Sequence, residues 1–147
     1  MSARRATPAE VTWTVPGPRL LSVAEVRAVV AAALEHGGRP ELALALVFVS
    51  DAALARLHGR CLGDPGPTDV MAFELGTDGG GPAGEVYVSV ERARAEARAR
   101  DLAPERELAL YVVHGCLHLC GHDDRASRPR ARMRAAERAV LARLGHA

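Results

Sequence analysis

The stretch Pro104-Glu105-Arg106-Glu107-Leu108-Ala109-Leu110-Tyr111-Val112-Val113-His114-Gly115-Cys116-Leu117-His118-Leu119-Cys120-Gly121 decides how the rest of the chain is read. Pro104 suits a first helical position, where its missing N–H is no loss. Glu105 and Glu107 then place negative charge at the positive end of the helix dipole. Leu108, Leu110, Tyr111, Val113, Leu117 and Leu119 carry the helix forward, and Gly121 is placed to close it.

Upstream of this helix the chain reads as alternating strands and helices. Residues 1–9 are expected to be a flexible tail, followed by one domain over residues 10–147. Val11-Thr12-Trp13-Thr14-Val15 alternates and is rich in β-formers, and Pro16-Gly17-Pro18 stops it. Ser22 with Glu25 three residues later forms a capping-box pattern for a helix to about Glu35, ended by Gly37-Gly38. Leu42 to Val49 reads as a buried strand, and Ser50 caps a short helix through Ala53, Leu54 and Leu57. Gly59 to Pro67 reads as a loop, Val70 to Phe73 as a third strand, and Gly76 to Gly84 as a mobile glycine-rich connection. Glu85 to Val90 is a fourth strand and Glu91 to about Leu102 a helix rich in Ala, Arg and Glu. Downstream, residues 125–128 form a loop and a last helix runs from near Pro129 to near Leu144. Four strands with helices between and after them imply an α+β or α/β arrangement around one sheet. Strand directions are not fixed by this pattern.

The composition narrows the class. The chain has 147 residues, 48% apolar and 25% charged, which excludes a disordered or fibrous protein. No apolar run approaches the roughly 18 residues that span a bilayer. No apolar stretch follows Arg4 and Arg5, so no secretory signal is expected; with only three cysteines this suggests a cytoplasmic protein. All 19 basic residues are Arg, and Lys, Asn, Gln and Ile are absent, as a GC-rich genome would produce. The net charge of +1 hides an asymmetry: residues 125–147 carry seven Arg and one Glu. Such an end suits phosphate contact, because guanidinium groups bind phosphate in a forked geometry, and it equally suits a solvated helix face.

The chemistry is concentrated in His114 to Asp124. At about 100° per residue, His114 and His118 lie within about 40° of each other and one turn apart, so two imidazoles can reach one cation. Gly121 permits a sharp turn, after which Asp124 can supply an oxygen ligand. The pattern His-x3-His-x2-Gly-x2-Asp has the spacing of the metzincin zinc helix with Asp in the last position. Three protein ligands and an open fourth position are what a catalytic zinc requires. His122 competes with Asp124 as third ligand, but it lies only one residue past the glycine. Asp123 is a candidate to orient a ligating imidazole. Cys116 and Cys120 point away from the His face and read as buried apolar residues. The zinc proteases carry Glu directly after the first His as general base; here that residue is Gly115, which removes that route to peptide hydrolysis.

The segment His114-Gly115-Cys116-Leu117-His118-Leu119-Cys120-Gly121-His122-Asp123-Asp124 resembles the signature of the YbeY family, bacterial endoribonucleases of ribosomal RNA maturation. His114, Gly115, Leu117, His118, Leu119, Gly121 and Asp123 match it position by position. Pro67-Thr68-Asp69-Val70-Met71-Ala72-Phe73, Gly84-Glu85-Val86-Tyr87-Val88-Ser89, and the ending with Met133, Glu137, Leu141 and Leu144-Gly145 are similar to the family as well. The departures are Asp124 for the last His of the signature and His122 for its Tyr. The family often has an Arg six residues before the Thr; Leu62 stands there, and Arg60 is the nearest RNA-binding candidate.

The resemblance implies a mixed four-stranded sheet packed with helices, with a metal at the end of a central helix in a basic cleft. It implies a zinc-dependent, single-strand endoribonuclease acting in small-subunit ribosomal RNA 3′-end maturation and ribosome quality control. One Zn2+ would be held by His114, His118 and Asp124. Single-stranded ribosomal RNA, the small ribosomal subunit and its assembly GTPase are the implied partners, with neither DNA nor membrane among them. A ribosome-assembly binding protein with a structural metal is the alternative. No residue declares itself the general base.

Overall fold

A computed structural model describes residues 8–62, 69–76, 80–122 and 126–146, with the side chains of residues 60–62 outside that description. Four strands and five helices follow one another as β1 (Glu10–Trp13), α1 (Val23–His36), β2 (Leu44–Val49), α2 (Asp51–Leu62), β3 (Val70–Glu74), β4 (Gly84–Ser89), α3 (Val90–Arg100), α4 (Pro104–Leu119) and α5 (Ser127–Arg143). The expected tail at 1–9 falls mostly on residues outside the description, but Ala9 is buried and its carbonyl accepts from Arg27 Nε at 3.0 Å.

The sheet has the order β1-β2-β4-β3. β1 pairs with β2 and β2 with β4 in parallel, whereas β3 and β4 form an antiparallel pair, so the sheet is mixed. The parallel pairs need crossover connections, which α1 and the α2–β3 segment provide. β2, Leu44-Ala45-Leu46-Val47-Phe48-Val49, is an interior strand and is apolar throughout, as a strand covered on both faces must be. On one face it contributes Leu44, Leu46 and Phe48 to the main core, where Phe48 stacks on Trp13 of β1 with ring centroids 3.9 Å apart. On the other face Val49 joins Leu54 and Met71 in a smaller cluster under α2.

The helix ends follow the sequence closely. Ser22 Oγ accepts from the Glu25 N–H at 3.0 Å and Glu25 Oε1 accepts from the Ser22 N–H at 2.9 Å, completing the capping box. Ser50 Oγ accepts from the Ala53 N–H at 3.1 Å. Two expectations need correction. α2 continues through Gly59 to Leu62, so these four residues are helical where the start of a loop was expected. A single glycine costs about 1 kcal/mol relative to alanine in a helix, too little to end one that packs Leu54 into the core. α5 begins at Ser127, two residues before Pro129, because a proline is tolerated throughout the unpaired first turn.

α4 is the central helix. It packs on β3 and β4 and is flanked by α1, α3 and α5. Ten of its residues are buried, among them Glu107, Leu108, Val112, Gly115, Cys116 and Leu119. Gly115 permits the close approach to the sheet: a Cβ there would lie 2.5 Å from Val86 Cγ1 and 3.1 Å from Val70 Cγ2.

Candidate metal centre and cleft

The C-terminal end of α4 is built to turn back. Cys120 caps the helix and Gly121 follows with φ 96°, a left-handed conformation that favours glycine. The Gly121 N–H donates to the His118 carbonyl at 3.1 Å and the His122 N–H to the Leu117 carbonyl at 3.0 Å, the paired bonds of a Schellman motif. Arg39, just past α1, donates from Nη1 to the Leu119 carbonyl at 2.8 Å and pairs with Glu74 of β3. This end of the helix is therefore tied to the first helical connection and to the sheet edge.

His114 and His118 stand one turn apart on this end. The His118 side is exposed, whereas the His114 side chain keeps 19% of its surface. His114 Nδ1 lies 2.6 Å from Glu137 Oε2 of α5, and the other Glu137 oxygen accepts from Arg134 Nη1 at 2.7 Å. Burial opposes ionisation of Glu137, but the hydrogen bonds from His114 and Arg134 outweigh it and hold its carboxyl below the ordinary value. A carboxylate oxygen accepts, so at 2.6 Å Nδ1 is placed to donate to it; in the neutral ring that arrangement would leave Nε2 as the nitrogen with the free lone pair. That is how metal-ligating imidazoles are commonly prepared, with a carboxylate on the far nitrogen.

The donor set thus fits a borderline-soft divalent ion at two positions. The expected third ligand, Asp124, and its neighbour Asp123 lie outside the described residues. Among the described residues no group of three His, Cys, Asp or Glu is close enough to hold an ion. Cys116 is fully buried and Cys120 half-buried, and burial pushes both thiols up from their ordinary values, as expected for packing residues. A Cβ at Gly37 would meet Cys120 Sγ at 2.4 Å, which places this thiol against α1.

His114 opens into a cleft of about 700 Å³ between α3, α4 and α5. α3 contributes Arg92, Glu96 and Arg100, spaced four residues apart on one face; α4 contributes Arg106, Glu107, Leu110 and Tyr111; α5 contributes Arg134, Glu137, Arg138 and Leu141. Asp69 and Val70 close one side. The resemblance implied a basic cleft, and the lining has five Arg beside four carboxylates. Glu107 is nearly inaccessible and takes Arg106 Nη1 at 3.0 Å. Burial, reinforced by Asp69, Glu107 and Glu96, pushes the Tyr111 phenol well above its ordinary value.

Arg60 lies on α2 rather than in a loop, and its side chain is outside the described residues. Sequence reasoning did not single out the cleft arginines, Glu107 or the role of Glu137. Two signals pointed to the acids. Glu107, Tyr111, His114 and His118 follow the i, i+4, i+7, i+11 spacing of one helix stripe. Glu137 interrupts the apolar stripe Met133, Ala136, Val140 and Leu141 of α5, where only a partnered carboxylate is tolerable.

Comparison with known proteins agrees with this architecture. The Endoribonuclease YbeY family profile matches residues 20–145. An Endoribonuclease YbeY of Rhodopirellula baltica is 38% identical over 120 residues, covering 80% of this chain and 61% of that protein, so the chain spans less than two thirds of that relative. An Endoribonuclease YbeY of Moorella thermoacetica is 36% identical over 140 residues, covering 88% of this chain and 89% of its own. The solution structure of a Thermotoga maritima protein superposes with a TM-score of 0.61 at 21% identity over 92% of this chain and 90% of its own, which speaks to the fold alone. With the profile spanning nearly the whole described fold, the chain belongs to the Endoribonuclease YbeY family.

Proposed function

We propose that this chain is a metal-dependent endoribonuclease that cleaves single-stranded RNA in 3′-end maturation and quality control of the small ribosomal subunit. The observation that carries the reading is His114, held through Nδ1 by buried Glu137 at the wall of an arginine-lined cleft. The family match supplies the reaction class, since the relatives are named endoribonucleases.

Zinc, held by His114, His118 and Asp124, would supply Lewis-acid activation of a phosphodiester. The protein's own groups do the rest. Glu137 orients His114. Arg92, Arg100, Arg106, Arg134 and Arg138 offer charge-assisted hydrogen bonds to successive phosphates along the cleft. The interspersed carboxylates limit the net positive charge, so binding depends on geometry as well as on field strength. Gly115 faces Val86 and Val70, so the position that carries the base in zinc proteases is here a packing position, which argues against peptide hydrolysis. Among the described residues no helix is long and apolar enough to cross a membrane. In this reading the protein works in the cytoplasm with the small subunit and its assembly GTPase.

The test is cleavage of a 3′-extended small-subunit ribosomal RNA fragment by purified wild type and His118→Ala, with metal content measured on the same samples. Cleavage by the wild type, lost with metal in the variant, is expected. RNA binding without cleavage by zinc-loaded wild type would instead favour an assembly factor with a structural metal.

A further inference from the structure

Glu137 is the one acidic residue of α5 and stands out among the acids of the cleft. It is 3% exposed, lies in the apolar stripe that docks α5, and has both oxygens engaged, one by His114 and one by Arg134. A side chain kept only for packing would be better as Leu or Met, since buried ion pairs are often replaced by hydrophobes without loss of stability. The other buried cleft acid, Glu107, pairs with Arg106, its neighbour on the same helix. The difference between the two lies in what Glu137 does to an imidazole one helix away.

We propose that Glu137 is a positioning residue, fixing His114 in the tautomer that carries its proton on Nδ1 so that Nε2 is presented to the metal. The proposal rests on the metal reading above. Arg134, one turn before Glu137 on α5, holds the second oxygen and prevents the carboxylate from rotating away. The chain thus places its ion-binding imidazole on one helix and the group that sets its orientation on another. Docking of α5 on α4 is then a condition for a competent site. Leu141, also lining the cleft, and Met133 lie in the apolar stripe that seats α5.

The test has two arms. Nitrogen-15 spectra of metal-free wild type at mildly alkaline pH, where imidazole is neutral, report the tautomer of His114 directly. Protonation at Nδ1 is expected; protonation at Nε2 overturns the proposal. Zinc affinity is then measured by competition with a chelating dye for wild type, Glu137→Gln and Glu137→Leu, with melting temperatures alongside. Glu137→Leu is expected to lose about 10- to 100-fold in affinity, and Glu137→Gln less, because its amide oxygen still accepts from Nδ1. Unchanged affinity in a folded Glu137→Leu with a lowered melting temperature would make Glu137 a helix clamp and nothing more. Should Glu137→Leu fail to fold, Glu137→Gln and the wild-type tautomer decide the matter. A wild type that binds no zinc overturns the metal reading itself, and the metal half of this proposal with it, whatever the tautomer.

Discussion

Two faces of α4 carry opposite duties within a few residues of each other. One face, with Val112, Gly115, Cys116 and Leu119, is pressed against the sheet and α1, and at Gly115 it leaves no room for a methyl group. The other face, with Glu107, Tyr111 and His114, borders the cleft and binds its polar groups to arginines and to Glu137. The contrast teaches that the first face sets where the helix lies and the second uses that placement. Substitutions should therefore sort by face: packing changes move stability, and cleft changes move metal or RNA.

The strongest separation is expected within one turn of α4. His118→Ala, at an exposed position one turn on from His114, should reduce zinc affinity by more than the about 100-fold that marks the upper range for an orienting partner, with little change in urea stability; isothermal titration and urea melts on the same sample check it. Gly115→Ala should do the reverse. Overpacking against Val86 and Val70 should destabilise by about 1–3 kcal/mol while zinc affinity per folded molecule stays within about twofold, well below the loss an orienting partner produces. If Gly115→Ala abolished zinc binding in a stable fold, the division between faces would fail.

Tyr111 sharpens the boundary. Its phenol is raised from the ordinary value of 10.0, first by burial and then by Asp69 and Glu107. The folded state therefore favours the neutral phenol. Its contribution is fully present below 10.0 and lost as pH rises above it, with a slope of at most about 1.4 kcal/mol per pH unit. Tyr111→Phe should remove that alkaline slope from urea melts without altering zinc affinity. The smallest effect is expected at an exposed arginine on the α5 wall of the cleft. Arg138→Ala should weaken binding of a single-stranded RNA a few-fold and reduce the salt slope of log affinity by about 0.7, the value for one phosphate contact. An unchanged salt slope would place the strand elsewhere.

Much of this was legible in the sequence, for identifiable reasons. The helix ends were readable because Ser22, Glu25, Gly37 and Gly121 act through their own backbone neighbours. The length of α2 was not, because the packing of Leu54 that outweighs the glycine is tertiary. His114 and His118 could be paired by helical spacing alone. Glu137 could not be assigned to His114, since it lies 23 residues downstream on another helix and meets it only once α5 docks. Strand direction likewise depended on which crossovers the helices make, and that is a property of the whole sheet.

The most direct test of the account is X-ray absorption at the zinc edge of the zinc-loaded protein. Imidazole nitrogens at about 2.0–2.1 Å and no sulfur are expected if His114 and His118 hold the ion as proposed. A sulfur shell at about 2.3 Å would put the ion on the packing face with Cys116 or Cys120 and contradict the account.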